Sequence, residues 1–456
     1  MKIRTILIPL VVIGVAYGGW TYLNSEHADL SVEAVTGPDP RIADPKETLL
    51  PTMNVAEAVG WRAGEAPIPA AGLAVNAFAT DLDHPRWMLR LPNDDILVAE
   101  TNSPPRERRG IRNWVMRKLM ADAGAGVPSP NRITLLRDAN GDGVAEQRSV
   151  LLSGLYSPFG MALVGDYLYV GNANALVRFP FKPGQTKIDA PAEKIVDLPA
   201  TPPGHWTRNI IANADGSKIY VAVGSSSNIA DNGMEQEKGR AAIWEIDVAS
   251  KSHRIYAYGL RNPVGLAWEP VTDSLWTVVN ERDMLGSDLA PDYLTHVEFG
   301  GFYGWPYYYW HGYIDKRVEQ PEEDQRQYMV RPDYALGPHT AALGLTFAQD
   351  LKLGPKFASG AFVGLHGSWN RRPRSGYKVI FVPFADGKPA GRPVDVLTGF
   401  LDDDGQARGR PVGVIADRTG ALLVADDVGN AIWRVSAKAS AGAAAPAPSP
   451  AGPKAE

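Results

Sequence analysis

HPRWMLRLPNDDILVAETN, residues 84–102, decides the fold. It reads as a short apolar strand, the polar turn PNDD, and a second apolar strand that ends near Glu100. RITLLRD, ending at 138, supplies a third strand. The same order recurs in SPFGMALVGDYLYVGNANALVRFPF (157–181) and in HWTRNIIANADGSKIYVAVGSSSN with AAIWEID (205–247). It returns in LRNPVGLAWEPVTDSLWTVVNERD with YLTHV (260–297) and in HTAALGLTFAQ with GAFVGLHGSWN and YKVIFVPF (339–384). RGRPVGVIADRTGALLVADDVGNAIWRV (408–435) is the last copy. Six divergent β-meanders predict an all-β fold, a six-bladed β-propeller over residues 71–436, with its loops lining one mouth of a central channel.

Composition agrees. The 46 Gly and 37 Pro in 456 residues supply turns for many short strands, and 45% hydrophobic residues are enough for a buried core. A net charge of −5 offers no general attraction for nucleic acid, so none is expected as a partner. With no cysteine, thiolate metal sites, iron–sulfur ligation and thiol nucleophiles are excluded. Any redox chemistry then needs an organic cofactor or a metal held by oxygen and nitrogen.

The termini differ from the middle. Lys2 and Arg4 precede the uncharged run Thr5–Leu23, roughly 19 residues that at about 1.5 Å each just span a hydrocarbon core of about 30 Å. Residues 1–27 are therefore expected to form an N-terminal transmembrane anchor helix rather than a removed signal peptide. The two basic residues would stay inside and the propeller would face the periplasm from the bacterial inner membrane. Residues 28–70, rich in Pro, Asp and Glu, read as a linker, and the Ala/Pro-rich stretch 437–456 as a disordered tail.

Two internal stretches stand apart from the repeat. The insertion at 106–128 has helical apolar spacing at Ile111, Trp114, Val115, Leu119 and Met120 beside Arg108, Arg109, Arg112, Arg117 and Lys118; it suits either an anionic bilayer or a propeller edge. Asp138-Ala-Asn-Gly-Asp-Gly143 resembles the start of a calcium loop but lacks its final Glu, Ser149 standing there, which favours a plain turn.

His205 opens the third unit, Arg261 and Asn262 the fourth, and Arg408 and Arg410 the sixth. Blade openings converge on one rim, so these cations would line a cavity that calls for an anionic ligand. Arginine forks suit carboxylates and quinone oxygens, and neither GxGxxG after a strand nor GxxxxGK[ST] is present to cradle a nucleotide.

Five landmarks in order, H-x-x-R-N at 205–209, L-R-N-P-x-G-L-A at 260–267, N-E-R-D at 280–283, F-G-G-F-Y-G-W-P at 299–306 and R-x-R-P at 408–411, resemble the aldose and L-sorbosone dehydrogenases that depend on pyrroloquinoline quinone (PQQ). The resemblance covers roughly residues 70–436. It implies a dehydrogenase that oxidises a sugar or a sugar-derived aldehyde and passes electrons to an external acceptor. His205 would be the general base, Arg261 would stabilise the reduced quinone oxygen, Asn262 would hold the same edge, and Arg408 and Arg410 would pair with PQQ carboxylates. Ca²⁺ would lie at the loop containing Glu281, Arg282 and Asp283, held partly by backbone carbonyls. This chain departs from the family there, with Glu281-Arg282 in place of Gly-Pro. It departs also in the fifth blade, where His366 or Trp369 takes the place of a cofactor-binding Lys.

Two other readings remain. A metal-dependent hydrolase of the lactonase type would line its channel with Glu, Asn and Asp rather than Arg and His. A non-catalytic sugar-binding propeller would use aromatic walls, for which Tyr307-Tyr308-Tyr309-Trp310 is the candidate.

Overall fold

The computed structural model describes residues 12–20, 26–46, 52–105 and 118–438. Six antiparallel sheets stand radially as the blades of a β-propeller. The first blade runs from the inner edge outward as Pro85–Arg90, Ile96–Glu100, Arg132–Arg137 and Gln147–Leu152. The second begins at Met161–Val164, the third at Ile210–Ala212, the fourth at Pro263–Trp268, the fifth at Ala342–Phe347 and the sixth at Pro411–Ala416.

Strand burial follows position within a blade. Ile96–Glu100, Leu275–Val279 and Leu422–Asp426, each second in its sheet, are buried at every residue because neighbouring blades cover both faces. The outer strands Gln147–Leu152 and His253–Tyr258 are half exposed. Six apolar clusters form the core, one at each seam between blades; Phe78, Met88, Val98, Leu136, Leu423 and Ile432 fill the seam where the ring closes.

Inner strands touch backbone to backbone, which explains the glycines in the repeat. A Cβ on Gly160 would lie 2.2 Å from Ile210 N, and one on Gly344 would lie 2.1 Å from Val412 O. Neither distance is physically available to a side chain.

The ring is closed by the N-terminal side of the chain. Leu73–Ala79 pairs with Ala431–Ala437 as the outer strand of the sixth blade, and Ile68–Pro69 pairs with Val394–Thr398 in the fifth. The stretch expected as a linker, together with Glu26 from the stretch expected as the anchor, lies against the propeller where it is described. Glu26 accepts from Ser287 N (2.8 Å) and Oγ (2.5 Å), Gly37 pairs with Ala335, and Trp61 donates to Asp426 Oδ2 at 2.7 Å. Buried Val35, Thr36, Thr52 and Ala56 give it an apolar underside that composition alone hid.

Val12–Trp20 forms a helix whose large apolar side chains are exposed. Among the described residues no helix is long and apolar enough to cross a membrane, and the rest of the Thr5–Leu23 run lies outside them. The 106–117 part of the basic insertion and the tail from 439 also lie outside.

Candidate active site at the blade-opening rim

Each first strand starts, and each second strand ends, at the same mouth of the channel. Residues just before the first and just after the second therefore meet there, and they assemble around two aspartates, one half-buried and one buried.

Asp283 follows the second strand of the fourth blade. Its carboxylate lies 3.2 Å from Arg261 Nη2, accepts from Asn370 Nδ2 at 3.1 Å and sits 3.5 Å from His339 Nδ1. Burial would raise its pKa, but the His339 hydrogen bond and the charges of Arg261, His339 and His205 hold it down to about 2. His339 itself is raised by Asp283 against its own burial, and its Nε2 meets Gly286 O at 3.0 Å. Arg261 donates further to Asn228 Oδ1 (2.8 Å) and to Glu281 O (2.6 Å).

Asp427 follows the second strand of the sixth blade. It accepts from Arg86 Nη1 at 2.5 Å, lies 3.0 Å from His366 Nε2 and 3.5 Å from His84 Nε2. Burial pushes His84 down to about 4, beyond what Asp427 restores, and lowers His366 as well. Arg410 adds a further buried charge beside His366 and lies over the Tyr377 ring at 4.8 Å. The loop His366–Asn370 joins the two groups, giving His366 to Asp427 and Asn370 to Asp283.

His205 and Asn262 face each other across Gly224, where a Cβ would meet Asn262 Oδ1 at 2.4 Å and His205 Cβ at 2.5 Å. His205 Nδ1 lies 3.0 Å from both the carbonyl and the hydroxyl of Ser225. A carbonyl only accepts, so Nδ1 carries the hydrogen and Nε2 is the basic nitrogen.

Several expected residues sit differently. Arg282 is wholly buried, with its guanidinium donating to Glu281 Oε2, Pro306 O and Tyr308 O, and with Asp315 at 3.3 Å. It pins the insertion after the fourth blade's third strand to the rim. Arg408 turns toward Glu65 at 3.6 Å, and Trp369 meets the N-terminal stretch, its carbonyl accepting from Asn54 N at 2.8 Å. The carbonyl of Glu281 is engaged by Arg261, and that of Asp283 by Asn228 Nδ2 and Arg317 Nη1. A cation at these carbonyls would have to displace guanidinium N–H groups. Tyr308, Tyr309 and Trp310 are buried in the insertion rather than forming a wall, because Tyr309 stacks on Tyr313 beneath Arg282.

His84, Arg86, Asn228, His339, Asn370 and Asp427 were not singled out in the sequence. The signal for His84, Arg86 and His339 was the blade-opening position that drew attention to Arg261.

The rim fits an anionic, acceptor-rich group. Among the described residues, the buried nitrogens His84 Nε2, Arg86 Nε and Arg410 Nε have no hydrogen-bond partner, and neither do the acceptors Asn262 Oδ1 and Asn370 Oδ1. A cavity of about 400 Å³ at the other end of the channel, lined by Trp87, Trp268, Leu345 and Phe347, shares none of these groups.

Residues 67–291 and 313–438 match the model of the family described as TrAA12-like. A PQQ-dependent pyranose dehydrogenase from Coprinopsis cinerea is 30% identical over 223 residues, 39% of this chain and 30% of that protein. The chain spans 60% and 30% of the lengths of the curated relatives it matches. A structure of family AA12 of carbohydrate-active enzymes from Trichoderma reesei superimposes with a TM-score of 0.66 at 18% identity, over 85% of this chain and 99% of that one. The holo PQQ domain of the Coprinopsis cinerea pyranose dehydrogenase gives 0.64 at 21%, over 84% and 100%. At these identities the superpositions speak of the six-bladed fold. The family match runs through all six blades, and the chain belongs to the TrAA12-like family.

Proposed function

We propose that the protein is a sugar oxidoreductase that binds PQQ at the blade-opening rim. The observation that carries this reading is the surplus of buried cations around Asp427 in a propeller of this family. Bound there, PQQ would supply a two-electron acceptor for hydride. Arg410 and Arg86, the buried guanidiniums with unmatched Nε–H groups, would hold its carboxylates, with His366 beside them and Arg408 joining if it leaves Glu65. Asn262 and Arg261 would border the reacting edge. His205, its Nδ1 turned to Ser225, would take the substrate hydroxyl proton at Nε2.

The proposed substrate is an aldose or a sugar-derived aldehyde of the sorbosone kind. Calcium does not fit the loop Asn280–Asp283 in this arrangement, and no step is assigned to it. The run Thr5–Leu23 is read as an uncleaved anchor, with the catalytic domain on the periplasmic side of the bacterial inner membrane and an external electron acceptor.

Apo-protein titrated with PQQ, with and without Ca²⁺, tests the cofactor. A ligand at a hundredfold excess over its Kd should stabilise the fold by about 2.7 kcal/mol. Melts that PQQ does not move, with or without calcium, overturn the reading. An artificial-acceptor assay over aldoses, ketoaldehydes and alcohols then ranks the substrates.

A further inference from the structure

We propose that the blade-opening rim is the face turned toward a lipid bilayer, and that electrons leave through it to a lipid-soluble quinone. The inference rests on the oxidoreductase reading above and adds an orientation and an acceptor class.

Glu26, which follows the apolar N-terminal run in sequence, is held at the rim. Leu23 ends the run, and three residues further on Glu26 is fixed to Ser287 by two hydrogen bonds. Three residues reach at most about 11 Å. Ser287 adjoins Gly286, whose carbonyl meets His339, and His339 meets Asp283. From Ser287 the N-terminal stretch continues along the rim. Asn54 N meets Trp369 O, Ala56 O accepts from Arg410 Nη2, and Ala58 pairs with Ala407. An exposed apolar helix such as Val12–Trp20 needs a cover, and a bilayer supplies one.

The basic insertion independently joins the same face. It departs after Pro104, which lies with His205 around one small cavity, and Asn102 Nδ2 holds the carbonyls of Ala125 and Val127. Ala58 N donates to Asp122 O. Val59, Met120 and Val127 neighbour these contacts in sequence and are each almost half exposed. Arg117 and Lys118 adjoin them in sequence, a combination suited to anionic headgroups.

The far face has the opposite character. Its turns between first and second strands carry the exposed Asp94, Asp166, Asp215 and Asp273, and the Asp138, Asp142 and Glu146 cluster lies on a turn of the same face. The exposed cations Lys352, Lys356 and Arg418 share this face, so only its Asp-bearing turns would be repelled by an anionic leaflet.

The redox balance closes. Oxidation of one CH–OH group to C=O releases two electrons and two protons; a quinone accepts both pairs and leaves as a quinol.

The test uses the full chain, whose lack of cysteine allows single labels. Val59→Cys on the rim and Val271→Cys on a far turn carry a fluorophore in phosphatidylglycerol/phosphatidylethanolamine vesicles with brominated acyl chains. Quenching several-fold stronger at position 59 is expected. Equal quenching, stronger quenching at 271, or failure to float with vesicles overturns the orientation.

In the same vesicles, loaded with PQQ and decylubiquinone, a variant with about twelve Gly/Ser residues between Asn24 and Ser25 gains on the order of 20 Å of reach. It should reduce a water-soluble dye as the parent does but the quinone several-fold more slowly. Unchanged quinone reduction overturns the acceptor assignment. If neither protein reduces the dye, the oxidoreductase reading and the acceptor fall together, while quenching still decides orientation.

Discussion

The two aspartates of the rim differ in exposure, with 21% of the Asp283 side chain open and 1% of Asp427, and they have opposite surroundings. Asp283 meets Arg261, His339 and Asn370, and Arg261 spends its other donors on Asn228 and Glu281. Asp427 meets Arg86, His366 and His84 with Arg410 nearby, and three nitrogens of this group lack hydrogen-bond partners among the described residues. The histidines record the difference, since His339 is raised while His84 and His366 are lowered. One carboxylate between the buried guanidiniums Arg86 and Arg410, with His84 and His366 held toward their neutral forms, leaves unmatched positive charge, and the proposed anion site rests on that surplus. The Asp283 side is built to hold shape.

The comparison can be broken in four ways. The largest effect is expected at His205, whose charge also bears on Asp283. His205→Gln keeps size and polarity but loses the basic nitrogen, so turnover should fall by about 10²–10⁴-fold while PQQ still shifts the melt. Near-normal turnover at saturating PQQ would move the base elsewhere, with His366 tested next.

Asp427→Asn removes the charge that balances Arg86, and breaking such a buried pair costs about 3–5 kcal/mol. Denaturant unfolding should show this loss, and PQQ should recover more stability in the variant than in the parent. Equal recovery would mean that the unmatched charge is not the anion site.

Arg410→Ala should weaken PQQ by about ten- to a hundredfold, the worth of a hydrogen bond to a charged group, with activity restored by excess cofactor. Arg408→Ala should weaken it less, because Arg408 is a third exposed and faces Glu65. Titration of both variants decides the order.

The last effect is on acid stability. His84 has a folded pKa of about 4, below its ordinary 6.5. The unfolded chain therefore takes up the proton first, and stability falls as pH drops from about 6.5 toward 4, by at most about 1.4 kcal/mol per pH unit. His84→Asn should flatten this slope in melts across that range, and an unchanged slope would contradict the burial argument.

The sequence by itself determined the repeat and the rim. Alternation of short apolar strands with PNDD, NADGS and DRTG turns is local information, and it sufficed for six blades. The blade-opening position is equally local, which is why His205, Arg261, Asn262 and Arg410 all reach the same mouth. The tertiary structure alone decided partners that lie far apart in the chain. The sixth repeat showed three strands, and its fourth, Leu73–Ala79, comes from more than three hundred residues earlier. Arg86 and Asp427 are 341 residues apart, Asn370 and Asp283 87. No periodicity links such pairs, because ring closure places them together only after every blade has formed. Arg282 shows the converse. A guanidinium beside a rim loop reads as a site residue until the fold surrounds it with carbonyls, and its donors then pin an insertion instead of meeting a ligand.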